Sequence, residues 1–225
     1  MTRRHKVADI PFDSEEGYMV DDSQIIDGNG KLTAKAAGVQ QYVILKPEVG
    51  TGVVVATEDI SGGDVASATI ARSILDYPRN LLYTLADASG DTLEATFTVV
   101  GTDQYGVAVT ETVSVDYDAS ATQAGTQIFS TITSVAISGV ANEAASDTAS
   151  VGVAIVADVA SFGLPLPISA VTDVKAVNWI DGGTSKTQNI DSTSVVVARD
   201  CFRPEQTVAA ADDYVILFES TSATS

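Results

Sequence analysis

Cysteine and histidine are nearly missing from this chain, with only Cys201 and His5 among 225 residues. One cysteine excludes an intrachain disulfide and leaves the redox compartment open. With its only histidine near the N-terminus, the rest of the chain has no histidine triad, no histidine metal cluster and few general-base schemes. Positive charge is also scarce: 12 Lys and Arg stand against 30 Asp and Glu, a formal net charge of −18. Phosphate binding draws on Lys and Arg, so this balance opposes a nucleic-acid coat, and it opposes adhesion to anionic lipid. No stretch approaches the roughly 20 apolar residues of a membrane span. The N-terminus, MTRRHK and then acidic, lacks the apolar region of a secretory signal, so a soluble protein is expected.

What is present suits a folded β protein. Hydrophobic residues make up 45% of the chain and mean hydropathy is +0.18, against global disorder. A globule of 23.3 kDa hides roughly 70% of its unfolded surface and can form a core without staples.

Residues 1–38 read as an extended N-terminal arm. Arg3, Arg4 and Lys6 precede a run of acids, and Phe12 and Tyr18 are among scattered apolar residues with no helical or strand period. Residues 39–225 read as a β domain with a subdivision near 170. Strands are expected at Gln41–Leu45, Gly52–Thr57, Leu81–Ala86, Leu93–Val100, Val107–Val115, Ser134–Ser138, Ser150–Val156, Val174–Trp179, Ser194–Ala198 and Tyr214–Phe218. Alternation in Phe97–Val99 and Val109–Val115 marks a sheet with one wet face, and Gly101–Gly106 between them suits a hairpin connection. Helical turns are expected at Val65–Leu75 and Ala124–Ile132. The fold class is mainly β, an antiparallel sandwich or barrel with the arm attached. Tyr-Val-Ile-Leu occurs at Tyr42–Leu45 and again at Tyr214–Leu217. The repeat either pairs the first and last strands or is a chance recurrence of common strand residues, and chance is preferred.

Candidate chemistry is sparse. The acid pairs Asp21-Asp22, Asp116/Asp118 and Asp212-Asp213 read as solvated carboxylates rather than a glycosidase pair. Asp27-Gly28-Asn29-Gly30 starts like a calcium loop, but Lys31 takes a ligand position and no Gly or Glu follows at the required spacing. Cys201 lies between Arg199 and Arg203, which could lower its pKa. Without a base it reads as a partly buried structural residue, with Arg199 and Arg203 expected to pair acids on this chain or a neighbour. Trp179, the only tryptophan, reads as core rather than a sugar platform. Phe162-Gly163-Leu164-Pro165-Leu166-Pro167-Ile168 is apolar and stiffened by proline, with burial expected either in this fold or against a partner.

Several runs together carry a resemblance: Pro78-Arg79-Asn80-Leu81, then Phe97-Thr98-Val99-Val100-Gly101-Thr102-Asp103-Gln104-Tyr105-Gly106, then Val109-Thr110-Glu111-Thr112. Phe129–Val135, Ser150–Val153 and Phe162–Pro165 continue it. The order resembles tailed-bacteriophage virion structural proteins, most of all capsid decoration (cement) proteins, over about residues 77–168. The resemblance implies a non-enzymatic protein on the outside of the phage head, made in the host cytoplasm, that holds capsomers together. It implies the major capsid protein as partner and a homo-oligomer, with a trimer favoured. Cofactor, metal, nucleic acid, membrane and small-molecule substrate are not expected. Candidate partner contacts are Arg3, Arg4, Lys6, Phe12 and Tyr18 in the arm, and Phe162, Leu164, Pro165 and Leu166 in the proline-bounded stretch. The alternatives are a tail, neck or head-fibre subunit, or a carbohydrate-binding adhesive module.

Overall fold

The computed structural model describes residues 24–26, 32–34, 39–88, 92–118, 121–181 and 184–219. It is mainly β and its strand pairs are antiparallel, as expected. Within residues 1–38, strands β1 (Gln24–Ile26) and β2 (Leu32–Ala34) form a small hairpin.

The central sheet has seven strands. In order they are β15 (Val195–Val196), β16 (Cys201–Phe202), β12 (Phe162–Gly163), β5 (Ile74–Arg79), β10 (Phe129–Ala141), β7 (Glu94–Thr102) and β8 (Ala108–Asp116). Two four-stranded sheets accompany it. One runs β4 (Gly50–Asp59), β11 (Thr148–Val153), β6 (Leu81–Ala86), β9 (Thr122–Ala124). The other runs β14 (Thr184–Thr187), β13 (Val174–Asp181), β17 (Asp213–Glu219), β3 (Val39–Leu45).

Period-two alternation decides which face of each strand is buried. In β7, Ala95, Phe97 and Val99 turn inward, and in β17 Tyr214, Ile216 and Phe218 do. Two hydrophobic cores result. The first joins Phe97, Phe129, Val135 and Ile137 of the seven-stranded sheet to Val55, Tyr83, Leu85 and Val151 of the β4 sheet, and the Tyr83 and Phe97 rings meet at 5.3 Å. The second joins Tyr77, Phe162, Val195 and Phe202 at the other end of the same sheet to Ile44, Val177, Tyr214 and Phe218. Each such buried aliphatic or aromatic side chain contributes about 2 kcal/mol. β5 belongs to both cores, since Leu75 faces the first and Tyr77 the second.

Three expectations need correction. Val65–Leu75 and Ala124–Ile132 are not helical. Val65 bridges Ile137, Ala68 N donates to the carbonyl of Val135, and β5 begins at Ile74. β9 ends at Ala124 and β10 begins at Phe129, with Ile128, Phe129 and Ile132 all buried. Pairing with β10, and of β10 with its neighbours, satisfies the backbone that a short helix would have satisfied internally. The Tyr-Val-Ile-Leu repeat is a pairing after all: Tyr42 lies opposite Ile216, Val43 opposite Val215 and Ile44 opposite Tyr214. Pro78 lies inside β5, which is not among the strands expected. Register on β5 breaks between Ile74 and Arg79, so no ladder bond is asked of the proline nitrogen.

Candidate functional site

Where the two cores meet, the chain inserts Arg79 and Asn80, 1% and 2% exposed. The Arg79 guanidinium donates to the carbonyls of Glu48 (2.7 Å) and Ala154 (3.1 Å) and lies 4.7 Å from the centre of the Phe162 ring. Asp76 is 3.6 Å away. Burial pulls the Arg79 pKa down, opposed by Asp76, while the group stays charged at neutral pH. Asn80 uses its whole amide. Nδ2 donates to the carbonyls of Gly125 (2.9 Å) and Val159 (3.0 Å), and Oδ1 accepts from Ser161 N (2.8 Å). These two residues fasten β5, the 154–161 segment and the loop after β9 to one point.

A second buried fastening lies on β8. The Glu111 carboxylate accepts from the Tyr83 hydroxyl (3.0 Å) and from the N–H groups of Thr126 (2.5 Å) and Gln127 (2.9 Å). It thereby ties the seven-stranded sheet to β6 and to the loop entering β10. Burial pushes the Tyr83 hydroxyl pKa up, and the neighbouring carboxylate adds to the effect. Gly101 is required on β7, because a Cβ there would run into the carbonyl oxygen of Thr131. Asp103 shapes the β7–β8 turn by accepting from Tyr105 N (2.8 Å) and Val107 N (2.9 Å), and Gly106 has φ of +77°.

The hairpin tip borders a shallow cleft of about 270 Å³ lined by Asp103, Gln104, Tyr105, Gln127, Arg199 and Asp200, among others. Gln104 donates to the carbonyl of Arg199 (3.0 Å), Arg199 to the carbonyl of Thr126 (2.6 Å), and Asp200 accepts from Ile168 N (2.8 Å). Burial and the adjacent Asp200 raise the Tyr105 pKa. Tyr105 and Val107 leave apolar surface exposed at this tip. Among the described residues, no group of three or more His, Cys, Asp or Glu is placed to hold a metal ion, and no helix is long and apolar enough to cross a membrane.

The candidate contacts fare differently. Arg3, Arg4, Lys6, Phe12 and Tyr18 lie outside the described residues. Phe162 and Leu164 are wholly buried in this chain's second core, so of the two forms of burial expected it is burial in this fold that occurs. Phe162 stacks on Phe202 at 6.5 Å and meets Tyr214 at 5.9 Å. Pro165 and Leu166 are half-buried and keep some surface. Cys201 is fully rather than partly buried, and burial pushes its thiol pKa up despite Arg199 and Arg203. Within this chain those arginines donate to the Thr126 carbonyl and, at 3.3 Å, to the Ser161 hydroxyl. Trp179 packs against the second core with Lys186 Nζ 4.3 Å from its ring centre.

Sequence reading did not single out Glu111 or Asn80 as buried fastenings. For Glu111 a signal exists: it shares the inward parity of Val109, Val113 and Val115. Known protein families, curated proteins and solved structures give no match to this chain.

Proposed function

We propose that this chain is a non-enzymatic virion structural protein of a tailed phage, a decoration protein on the outer face of the head. One observation carries the reading. Arg79, Asn80, Gly101, Asp103 and Glu111 supply the virion-like pattern, and these same residues fasten the strands, turns and cores together. The pattern therefore reads as the signature of a scaffold. A scaffold held by buried polar fastenings suits a part whose work is to be rigid and to offer surfaces. In this reading residues 1–38 add contact area on a neighbour, with the ordering cost met only on binding. The acidic surface keeps the free protein soluble before assembly. The partner is the major capsid protein and the location is the capsid surface.

The test is co-sedimentation of the purified protein with empty, expanded heads that lack their own decoration. Saturable binding at a fixed ratio to the capsid subunit is expected, along with its loss on deleting residues 1–35. A folded protein that ignores heads but joins tails or fibres would move it to that part of the particle.

A further inference from the structure

We infer that the outer edge of β8 is an interface between two copies of this chain, paired antiparallel about a two-fold axis at Thr112. β8 ends the seven-stranded sheet and, among the described residues, pairs only with β7, through nine consecutive partners from Ala108↔Thr102 to Asp116↔Glu94 with no break in register. Flanking bonds fix the phase of the ladder. Asp103 N donates to the carbonyl of Val107, and Tyr117 N to that of Leu93. Odd-numbered β8 residues therefore bond to β7, and the N–H and C=O of Ala108, Thr110, Thr112 and Ser114 point away from the sheet. Among the described residues, no hydrogen bond engages those outward backbone groups.

Among the described residues, the other edges are short or are engaged at one residue by another part of the chain. β15 has two residues, β9 three, and β14 four including Lys186. On β4, Ala71 N donates to the carbonyl of Val54. On β3, the Tyr77 hydroxyl occupies both backbone groups of Leu45 (2.9 and 3.0 Å). Natural sheets blunt exposed edges with lysine, proline, bulges or shortness. β8 has no lysine, proline or bulge over nine residues, and its inward charge, Glu111, is met within the chain by Tyr83, Thr126 and Gln127.

Its sequence is complementary to itself. With Thr112 facing the partner's Thr112, Thr110 faces the partner's Ser114 and Ala108 faces the partner's Asp116. Threonine–threonine and threonine–serine pairs are favourable across strands, and no two like charges are opposed. The Thr112–Thr112 and Thr110–Ser114 pairs are of the bonded kind, each exchanging two backbone hydrogen bonds. The result is one continuous sheet through both copies, closed by its two-fold axis. This assembly differs from the trimer that the resemblance implies and does not depend on a capsid role.

The full chain should sediment as a concentration-dependent dimer. The variant carrying Thr110→Lys and Ser114→Lys puts lysines opposite each other twice across the axis and should raise the dissociation constant at least about tenfold. The variant carrying Thr110→Lys and Ser114→Glu has two substitutions at the same places but pairs Lys with Glu, and should dimerise near wild-type strength. Both should keep the wild-type circular dichroism spectrum and, at concentrations where all three proteins are monomeric, the wild-type unfolding midpoint, since these side chains are exposed in the single chain. A wild-type monomer throughout the micromolar range, a trimer, or equal response of the two variants would overturn the interface.

Discussion

Replacing Asn80 with alanine tests the fastening between the two cores directly. The side chain is 2% exposed and satisfies three backbone groups: the carbonyls of Gly125 and Val159 and the N–H of Ser161. Each buried group left without a partner costs about 1 kcal/mol or somewhat more, so Asn80→Ala should lose about 3 kcal/mol. For a chain of this size that corresponds to a fall in Tm of about 6–12 °C. Asn80→Asp sharpens the test, because it keeps the acceptor and turns the donor toward two carbonyls into a second acceptor. The introduced carboxyl, buried and facing carbonyl oxygens, should have a folded pKa above its unfolded value of about 3.9. Asn80→Asp should then be least destabilised below about pH 4 and progressively worse as pH rises through the folded pKa. Urea unfolding of wild type and both variants at pH 3.5 and pH 7 gives the comparison. A loss below about 1 kcal/mol for Asn80→Ala, or an Asn80→Asp penalty flat with pH, would refute the fastening role.

Gly101→Ala should destabilise by about 3 kcal/mol, because the new Cβ must push β7 away from the Thr131 carbonyl; equilibrium unfolding reads the loss. Cys201 should react with a thiol reagent orders of magnitude more slowly in the native protein than in urea, its thiol being buried and its pKa raised. Asp173 and Asp191 have lowered pKa values, Asp173 first through the Ser169 N–H and Asp191 first through the Thr193 hydroxyl. Their contribution is present above the unfolded value of about 3.9 and lost as pH falls through the lower folded values. Asp191→Asn should therefore be less stable than wild type at pH 7, with the gap narrowing by pH 2 in urea unfolding.

Strands that alternate were legible because one face is wet. Phe97–Val99 and Val109–Val115 advertise their inward residues, and β7 and β8 lie where they do. Two-residue strands such as β12, β15 and β16 carry no period at all. They exist because the central sheet supplies partners from far along the chain. The false helix at Ala124–Ile132 arose because Ile128 and Ile132 also fit a helical face, and only pairing with β7 and β5 decides between the two. The Tyr-Val-Ile-Leu repeat shows the same limit. Nothing local separates a chance recurrence from a ladder, since the choice is made when both strands bury Ile44, Tyr214 and Ile216 in one core.

Polar residues at inward parity are where the sequence held more than alternation alone reveals. Arg79 follows Leu75 and Tyr77 at steps of two, and Glu111 sits among Val109, Val113 and Val115. A charge on the buried side of a strand is costly unless it is met by several hydrogen bonds. Such a charge is therefore a forecast that loops will come to it. Glu48 and Ala154 bring carbonyls to Arg79, and Thr126 and Gln127 bring N–H groups to Glu111. Both fastenings join segments far apart in sequence, and a hydrophobic contact at the same place would tolerate sliding where these do not. Strand register across two cores thus draws on a few buried polar groups as well as on hydrophobic burial. The outer edge of β8, whose even-numbered side chains are exposed, is left available for pairing with another chain.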